Sequence, residues 1–166
     1  MIDPDEKPVL QSSFPSPRSQ QSRTWNAVLD LYGVLFTRLN RAMIGHSGIS
    51  LAKYDVLAQL DANPEGLTQG ELSRRLKVTG GNVSGLVRRM ADENLLARMS
   101  APDDRRAVLV CLTPHGRQAF QAAKAHHDTM LGKWLGGIAE TQLSDICQQL
   151  AELRARIEAD QEVSDR

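Results

Sequence analysis

Cysteine, aromatic rings and long apolar runs are all scarce in this chain of 166 residues, and each scarcity removes a class of answer. The two cysteines, Cys111 and Cys147, are too few for a disulfide framework and stand in no metal-ligand spacing, so a reducing cytoplasm is the expected compartment. No stretch approaches the roughly 20 apolar residues that a membrane-spanning helix needs. The first residues carry Asp3, Asp5 and Glu6 without the apolar run of a signal peptide or an anchor, so a soluble protein with no membrane partner is expected. His115, His126 and His127 are scattered, and no Cys/His/Glu cluster has ligand spacing, so neither a metal nor a cofactor is expected. Gly-rich phosphate loops, nucleophile elbows and His-Glu-x-x-His runs are missing as well, which leaves no enzyme signature. With aromatics at 4% of residues, the core must come from aliphatic side chains, which suits packed helices.

Net charge is zero, which at first argues against nucleic acid, yet the charge is unevenly spread. Between Gly66 and Arg117 nine Lys/Arg face five Asp/Glu, while the segments before and after it are mildly acidic. A basic middle between acidic flanks fits a DNA-binding lobe within a larger assembly.

Residues 1–22, with Pro4, Pro8, Pro15 and Pro17, read as an irregular arm. Trp25, Leu29, Tyr32, Phe36, Leu39 and Met43 then recur every three or four residues, predicting a first helix to about residue 44, broken by Gly45 and Gly48. Ser50 caps a second helix over Leu51–Asp61, with Tyr54, Leu57 and Leu60 inward, and Asn63-Pro64-Glu65-Gly66 ends it. Thr68 and Glu71 have capping-box spacing, with Leu67 and Leu72 at the staple positions, and open a short helix to about Leu76. Lys77 and Val78 form a tight turn before a fourth helix capped by Thr79, and two short helices so joined form a helix-turn-helix. Leu95–Met99 and Val108–Leu112, separated by the polar Pro102–Arg106, predict a β-hairpin with a charged tip. Thr113-Pro114 restarts a helix that Gly136-Gly137 interrupt. The last helix carries Leu143, Ile146, Leu150, Leu153 and Ile157 as a heptad-like seam. The expected fold is mainly α with a small β-wing: a dimerisation helix over 23–49, a winged helix-turn-helix lobe over 50–113, dimerisation helices over 114–160 and a tail from 161 to 166.

On the second helix of the motif, Val83, Leu86, Val87 and Met90 share one face and must pack inward. The opposite face holds Gly81, Gly85, Arg88 and Asp92, flanked by Asn82, Ser84 and Arg89. The first turns of such a helix can enter a major groove. There the glycines allow close approach, Asn82 and Ser84 can donate or accept, and Arg88 and Arg89 can reach a guanine edge or a phosphate. Thr68, Gln69 and Arg74 on the preceding helix are better placed for the phosphate backbone, which positions rather than specifies.

Leu67-Thr68-Gln69-Gly70-Glu71-Leu72, Val83-Ser84-Gly85-Leu86-Val87-Arg88-Arg89-Met90 and Asp104-Arg105-Arg106 running into Val108–Gly116 together resemble the MarR family of transcription regulators over roughly residues 25–160. The resemblance implies that the wing arginine, Arg106, enters the minor groove, with Arg105 beside it and Asp104 orienting it through a charge-assisted hydrogen bond. A narrow A·T-rich minor groove concentrates negative potential, which makes that role physically sensible. The chain departs from the usual family pattern at Ser84-Gly85 and at Arg88-Arg89, so base preference cannot be copied from relatives. Gly80–Gly85 resembles a subgroup that often controls degradation of aromatic acids.

The first-helix stripe and the C-terminal seam are too long for one small lobe to cover, which predicts an isologous homodimer. Its double-stranded DNA operator would then be a pseudo-palindrome with half-sites about 10 bp apart. The resemblance further implies a small anionic aromatic effector or its CoA thioester, with Trp25, Arg38, Arg41, His46 and Tyr54 as candidate contacts and repressor release as the outcome. A competing reading of those five puts Trp25 and Tyr54 in the core, Arg41 in solvent and His46 at a helix end. Two alternatives for the whole protein stand beside this one. The first is a redox-sensing regulator of the same fold, poorly served by cysteines that begin only at Cys111. The second is a winged-helix protein-interaction module without DNA binding.

Overall fold

A computed structural model describes the backbone of residues 19–100 and 108–164, and nine elements follow one another there: α1 Gln20–Ser47, α2 Leu51–Asp61, β1 Leu67–Thr68, α3 Gln69–Leu76, α4 Gly80–Asp92, β2 Leu96–Ser100, β3 Val108–Leu112, α5 Pro114–Leu135 and α6 Glu140–Ser164. They fall into two compact units, one through His127 and one from Asp128 onward.

In the first unit, α1 starts earlier and ends later than its apolar spacing predicts. Ser19 accepts the Ser22 N–H as N-cap at 3.2 Å, so residues 20–22 belong to the helix and not to the arm. Gly45 lies inside the helix, where an interior glycine costs only about 1 kcal/mol. Gly48 ends it, at φ +69°, in the left-handed conformation a helix C-terminus favours. The Leu51 N–H donates to Asn40 Oδ1 at 2.8 Å and ties the start of α2 to α1. Ser50 caps α2 as expected, accepting from Lys53 N–H. Val56, Leu57 and Leu60 are buried, whereas Tyr54 is only half-buried.

The wing is a three-stranded antiparallel sheet in the order β1-β3-β2, one strand more than the predicted hairpin. Leu67 pairs with Val110 on one side of β3, and Arg98 pairs with Val110 on the other. The added strand is the capping segment itself. An N-cap residue needs extended backbone, and Thr68 at φ −69°, ψ 157° meets that need while pairing with Leu109. Two residues are too few to show a period-2 pattern, so the strand is invisible to periodicity.

Met43, Leu57, Leu60, Leu72, Val83, Val87, Met90 and Val110 are fully buried and form the core of this unit, drawing on α1, α2, α3, α4 and β3. The α4 residues in that set match the inward face predicted from their spacing. Ion pairs brace it from outside, Lys53–Glu93 at 2.7 Å and Arg117–Asp61 at 2.8 Å among them.

In the second unit, the end of α5 is followed by Gly136 and Gly137 and then by α6. Of the predicted seam, Leu143 is half-buried, while Ile146, Leu150, Leu153 and Ile157 are exposed, at 38–58% of their surface. No helix among the described residues is long and apolar enough to cross a membrane.

Candidate nucleic-acid interface

The helix-turn-helix is built from its caps. Thr68 Oγ1 accepts the Glu71 N–H at 3.2 Å, and the Glu71 carboxylate accepts the Thr68 N–H at 2.8 Å, so the capping box is reciprocal. The Thr68 hydroxyl also donates to the same carboxylate at 2.7 Å. The Thr68 N–H, and after it the Thr68 hydroxyl, hold the Glu71 carboxyl below its ordinary range, against a smaller opposing effect of burial. Lys77 closes α3 in the left-handed conformation at φ 54°, and the Val78 N–H donates to Ser73 O at 3.2 Å. The chain turns at once into α4.

Thr79 occupies the N-cap position of α4 but makes no side-chain capping bond, contrary to the sequence expectation. The first N–H groups of α4 are therefore not satisfied by that side chain.

The outward face of α4 matches the predicted one. Gly81, Asn82, Ser84 and Arg88 are exposed, and Gly85 is half-buried. A Cβ added at Gly80 or Gly81 would meet nothing within 4 Å, and one at Gly85 would meet only Arg89 Nη1 at 3.7 Å. Arg89 is half-buried and lies back along its own helix toward Gly85, whereas Arg88 is exposed. Arg74 is exposed in the last turn of α3. The Ser84 hydroxyl donates to Gln69 Oε1 at 2.7 Å, joining the start of α3 to the middle of α4. Asp104, Arg105 and Arg106 lie outside the described residues.

Of the five candidate effector contacts, Trp25 stands apart from the others on α1. Trp25 is 57% exposed rather than in the core, and it precedes Arg38 by thirteen residues, about 20 Å along a helix axis. Arg38 and Arg41 are both exposed, one turn apart. His46 and Tyr54 instead meet rings from α5 that sequence reasoning missed. The His46 ring stacks on His126 with centroids 4.0 Å apart. Tyr54 lies against Phe120 at 5.5 Å and His127 at 4.7 Å. Phe120, Ala123 and His127 are spaced three and four apart, a signal available in the sequence once α5 is known to face α2. Among the described residues no group of three or more His, Cys, Asp or Glu could hold a metal ion. Cys111 is half-buried, and burial, with Glu65 nearby, raises its thiol pKa; Cys147 is exposed.

Known proteins share this fold. The MarR family profile matches residues 47–107. A MarR family transcriptional regulator from Silicibacter pomeroyi is similar at 38% identity, with 87% of this chain and 99% of that chain covered and a TM-score of 0.69. CouR from Rhodococcus jostii RHA1, whose structure holds p-coumaroyl-CoA, has the same fold at 23% identity and a TM-score of 0.72, with 82% of this chain and 95% of that one covered. The transcriptional repressor MdtR of Bacillus subtilis is 26% identical over 114 residues, 69% of this chain and 73% of its own. The chain belongs to the MarR family of winged helix-turn-helix transcription regulators.

Proposed function

We propose that the protein is a homodimeric repressor that holds a pseudo-palindromic operator and releases it when a small anionic aromatic compound, or its CoA thioester, binds. The observation that carries the DNA part is the bare outward face of α4, where none of the described residues fills the space beside Gly80 and Gly81. In this reading α4 enters the major groove through Asn82, Ser84 and Arg88. Thr68, Gln69 and Arg74 hold phosphates, and Arg106 reaches the minor groove with Asp104 and Arg105 at the wing tip. Two exposed apolar faces support the dimer. One lies on α1 with Trp25, Val28, Leu31 and Tyr32, and the other is the α6 seam. Apolar faces of this extent usually mark an interface.

The effector reading rests on chemistry near His46 and Tyr54. The stacked rings of His46, His126, Tyr54 and His127 suit an aromatic acyl group, and Arg38 and Arg41 offer charge for a carboxylate or a phosphate. The p-coumaroyl-CoA held by CouR supports the same class of compound. To shift the protein from mostly bound to mostly free, the effector must favour the unbound geometry by roughly 5 kcal/mol.

The test is binding of purified protein to DNA from upstream of its own gene, against scrambled DNA, at two salt concentrations. Preference for the upstream DNA with affinity falling steeply as salt rises is expected. Arg106→Ala should weaken binding while the dimer survives in sedimentation. Aryl-CoA thioesters, p-coumaroyl-CoA first, should release the complex at concentrations where free CoA does not. Equal, weak, salt-insensitive binding to both DNAs would favour a protein-interaction module instead.

A further inference from the structure

Ser84 and Gln69 belong to different helices, yet the Ser84 hydroxyl donates to Gln69 Oε1 at 2.7 Å. That bond fixes what each side chain has left to offer. With its proton engaged, Ser84 Oγ can only accept. With one lone pair of its carbonyl oxygen engaged and that oxygen turned toward Ser84, Gln69 presents its Nε2 donor outward. One acceptor and one donor therefore stand side by side. Turning the Gln69 amide by half a rotation reverses the bond, leaving the serine as donor and Gln69 as acceptor, so the side-by-side pair persists in either orientation.

We propose that Gln69 and Ser84 act as one reading unit that selects an A·T pair in the major groove of each half-site. The adenine edge shows a donor at N6 and an acceptor at N7, the complement of this pair. Over the purine itself, guanine shows two acceptors and so sets one of them against an acceptor of the protein; the acceptor–donor step of a G·C pair, O6 beside cytosine N4, lies across the two bases, so the preference holds for a pair seated on the purine edge. The proposal rests on the reading of α4 as the DNA-entering helix and deepens it by naming the base pair, and it moves Gln69 from the phosphate role given above to a base edge.

Serine is a short reader and reaches a base edge only if its helix backbone comes close to the groove floor. Gly81 and Gly85, one turn before and one residue after Ser84, carry no Cβ to hold the backbone away. Neither glycine is required by a positive φ or by a close contact among the described residues. Their bare Cα atoms have no use in the fold itself, whereas a short reader on the same face gives them one.

The experiment starts by selecting operator sequences from a random DNA pool with wild-type protein. Wild type, Gln69→Ala, Ser84→Ala, the double variant Gln69→Ala with Ser84→Ala, Ser84→Thr and Gln69→Glu are then compared on operators carrying every single base-pair change. At one A·T position per half-site, Gln69→Ala and Ser84→Ala should each lose about tenfold of discrimination. The double variant should lose no more than either single, because the two act as a unit. Ser84→Thr keeps the hydroxyl and should keep the preference. Gln69→Glu removes the outward donor and should turn the preference away from adenine. Preferences are ratios between DNAs, so a uniform phosphate repulsion from Glu cancels. Selection of a defined operator by wild type, with an unchanged base profile in Gln69→Ala, overturns the pair alone. Failure of wild type to select any sequence overturns the DNA-reading function and the pair with it.

Discussion

The carbonyl oxygen of Leu95 lies 1.9 Å from where a Cβ on Gly116 would stand. Leu95 is the residue before β2, and Gly116 lies in the first turn of α5, so the wing and the helix that follows it touch backbone to backbone. Thr113 seals the same corner, with its hydroxyl donating to Asn94 O at 2.6 Å and accepting the Gly116 N–H at 2.9 Å. Alanine normally strengthens a helix relative to glycine. Here Gly116→Ala should destabilise by about 3 kcal/mol, the cost of overpacking against backbone that cannot yield. Gly70→Ala, whose Cβ would meet nothing within 4 Å, should instead stabilise slightly. Urea unfolding of the two variants checks the opposite signs.

The capping box gives a pH signature. The Glu71 carboxyl sits below its ordinary range because the Thr68 N–H and hydroxyl both donate to it. A group lowered in the folded state adds stability above its unfolded value, and that stability is lost as pH falls through the lowered folded value. The margin of wild type over Glu71→Gln should therefore be full at neutral pH and shrink on acidification. Parallel urea midpoints for the two proteins from neutral to acidic pH would contradict this. Thr68→Ala removes the N-cap and should cost about 1 kcal/mol at neutral pH.

How far the sequence carries depends on where each signal lies. The capping box, the inward face of α4 and the Gly81, Ser84 and Arg88 face are local, spaced within one or two turns, and all are legible without a fold. The third strand was hidden because Leu67 and Thr68 already read as a staple and a cap. The Leu95–Gly116 contact, the Ser84–Gln69 bond and the His46–His126 stack join residues 21, 15 and 80 positions apart, and no periodicity encodes which partner each will meet. Trp25 shows the opposite failure. Its spacing marks an apolar stripe correctly, but a stripe says only that it will be covered, not by which chain.

Cys111 should be a slow thiol. Burial, with Glu65 adding to it, raises its pKa, and the thiolate is the form that reacts. Its S–H also points at Glu65 O, 3.8 Å away. Iodoacetamide at mildly alkaline pH should label Cys111 several-fold more slowly in folded protein than in urea, followed by mass spectrometry of the peptide. Cys111→Ser should leave the response of DNA binding to peroxide unchanged. A peroxide response abolished by that substitution would revive the redox alternative.

The glycines of α4 separate folding from function most sharply. An interior helical glycine is less favourable than alanine by roughly 0.5–1 kcal/mol. Gly81 and Gly85 lie inside α4 with room for a methyl group, since a Cβ at Gly81 would meet nothing within 4 Å and one at Gly85 only a movable arginine. Gly81→Ala and Gly85→Ala should therefore each raise the unfolding midpoint. If α4 lies close in a major groove, the added methyl lifts the backbone away from the base edges, and operator affinity should fall by about tenfold, the worth of one base contact. Non-specific affinity, carried by phosphate contacts, should change far less. A more stable protein that reads its operator less well would place the reason for both glycines outside the chain. Unchanged operator affinity in both variants would mean that α4 does not approach DNA through this face.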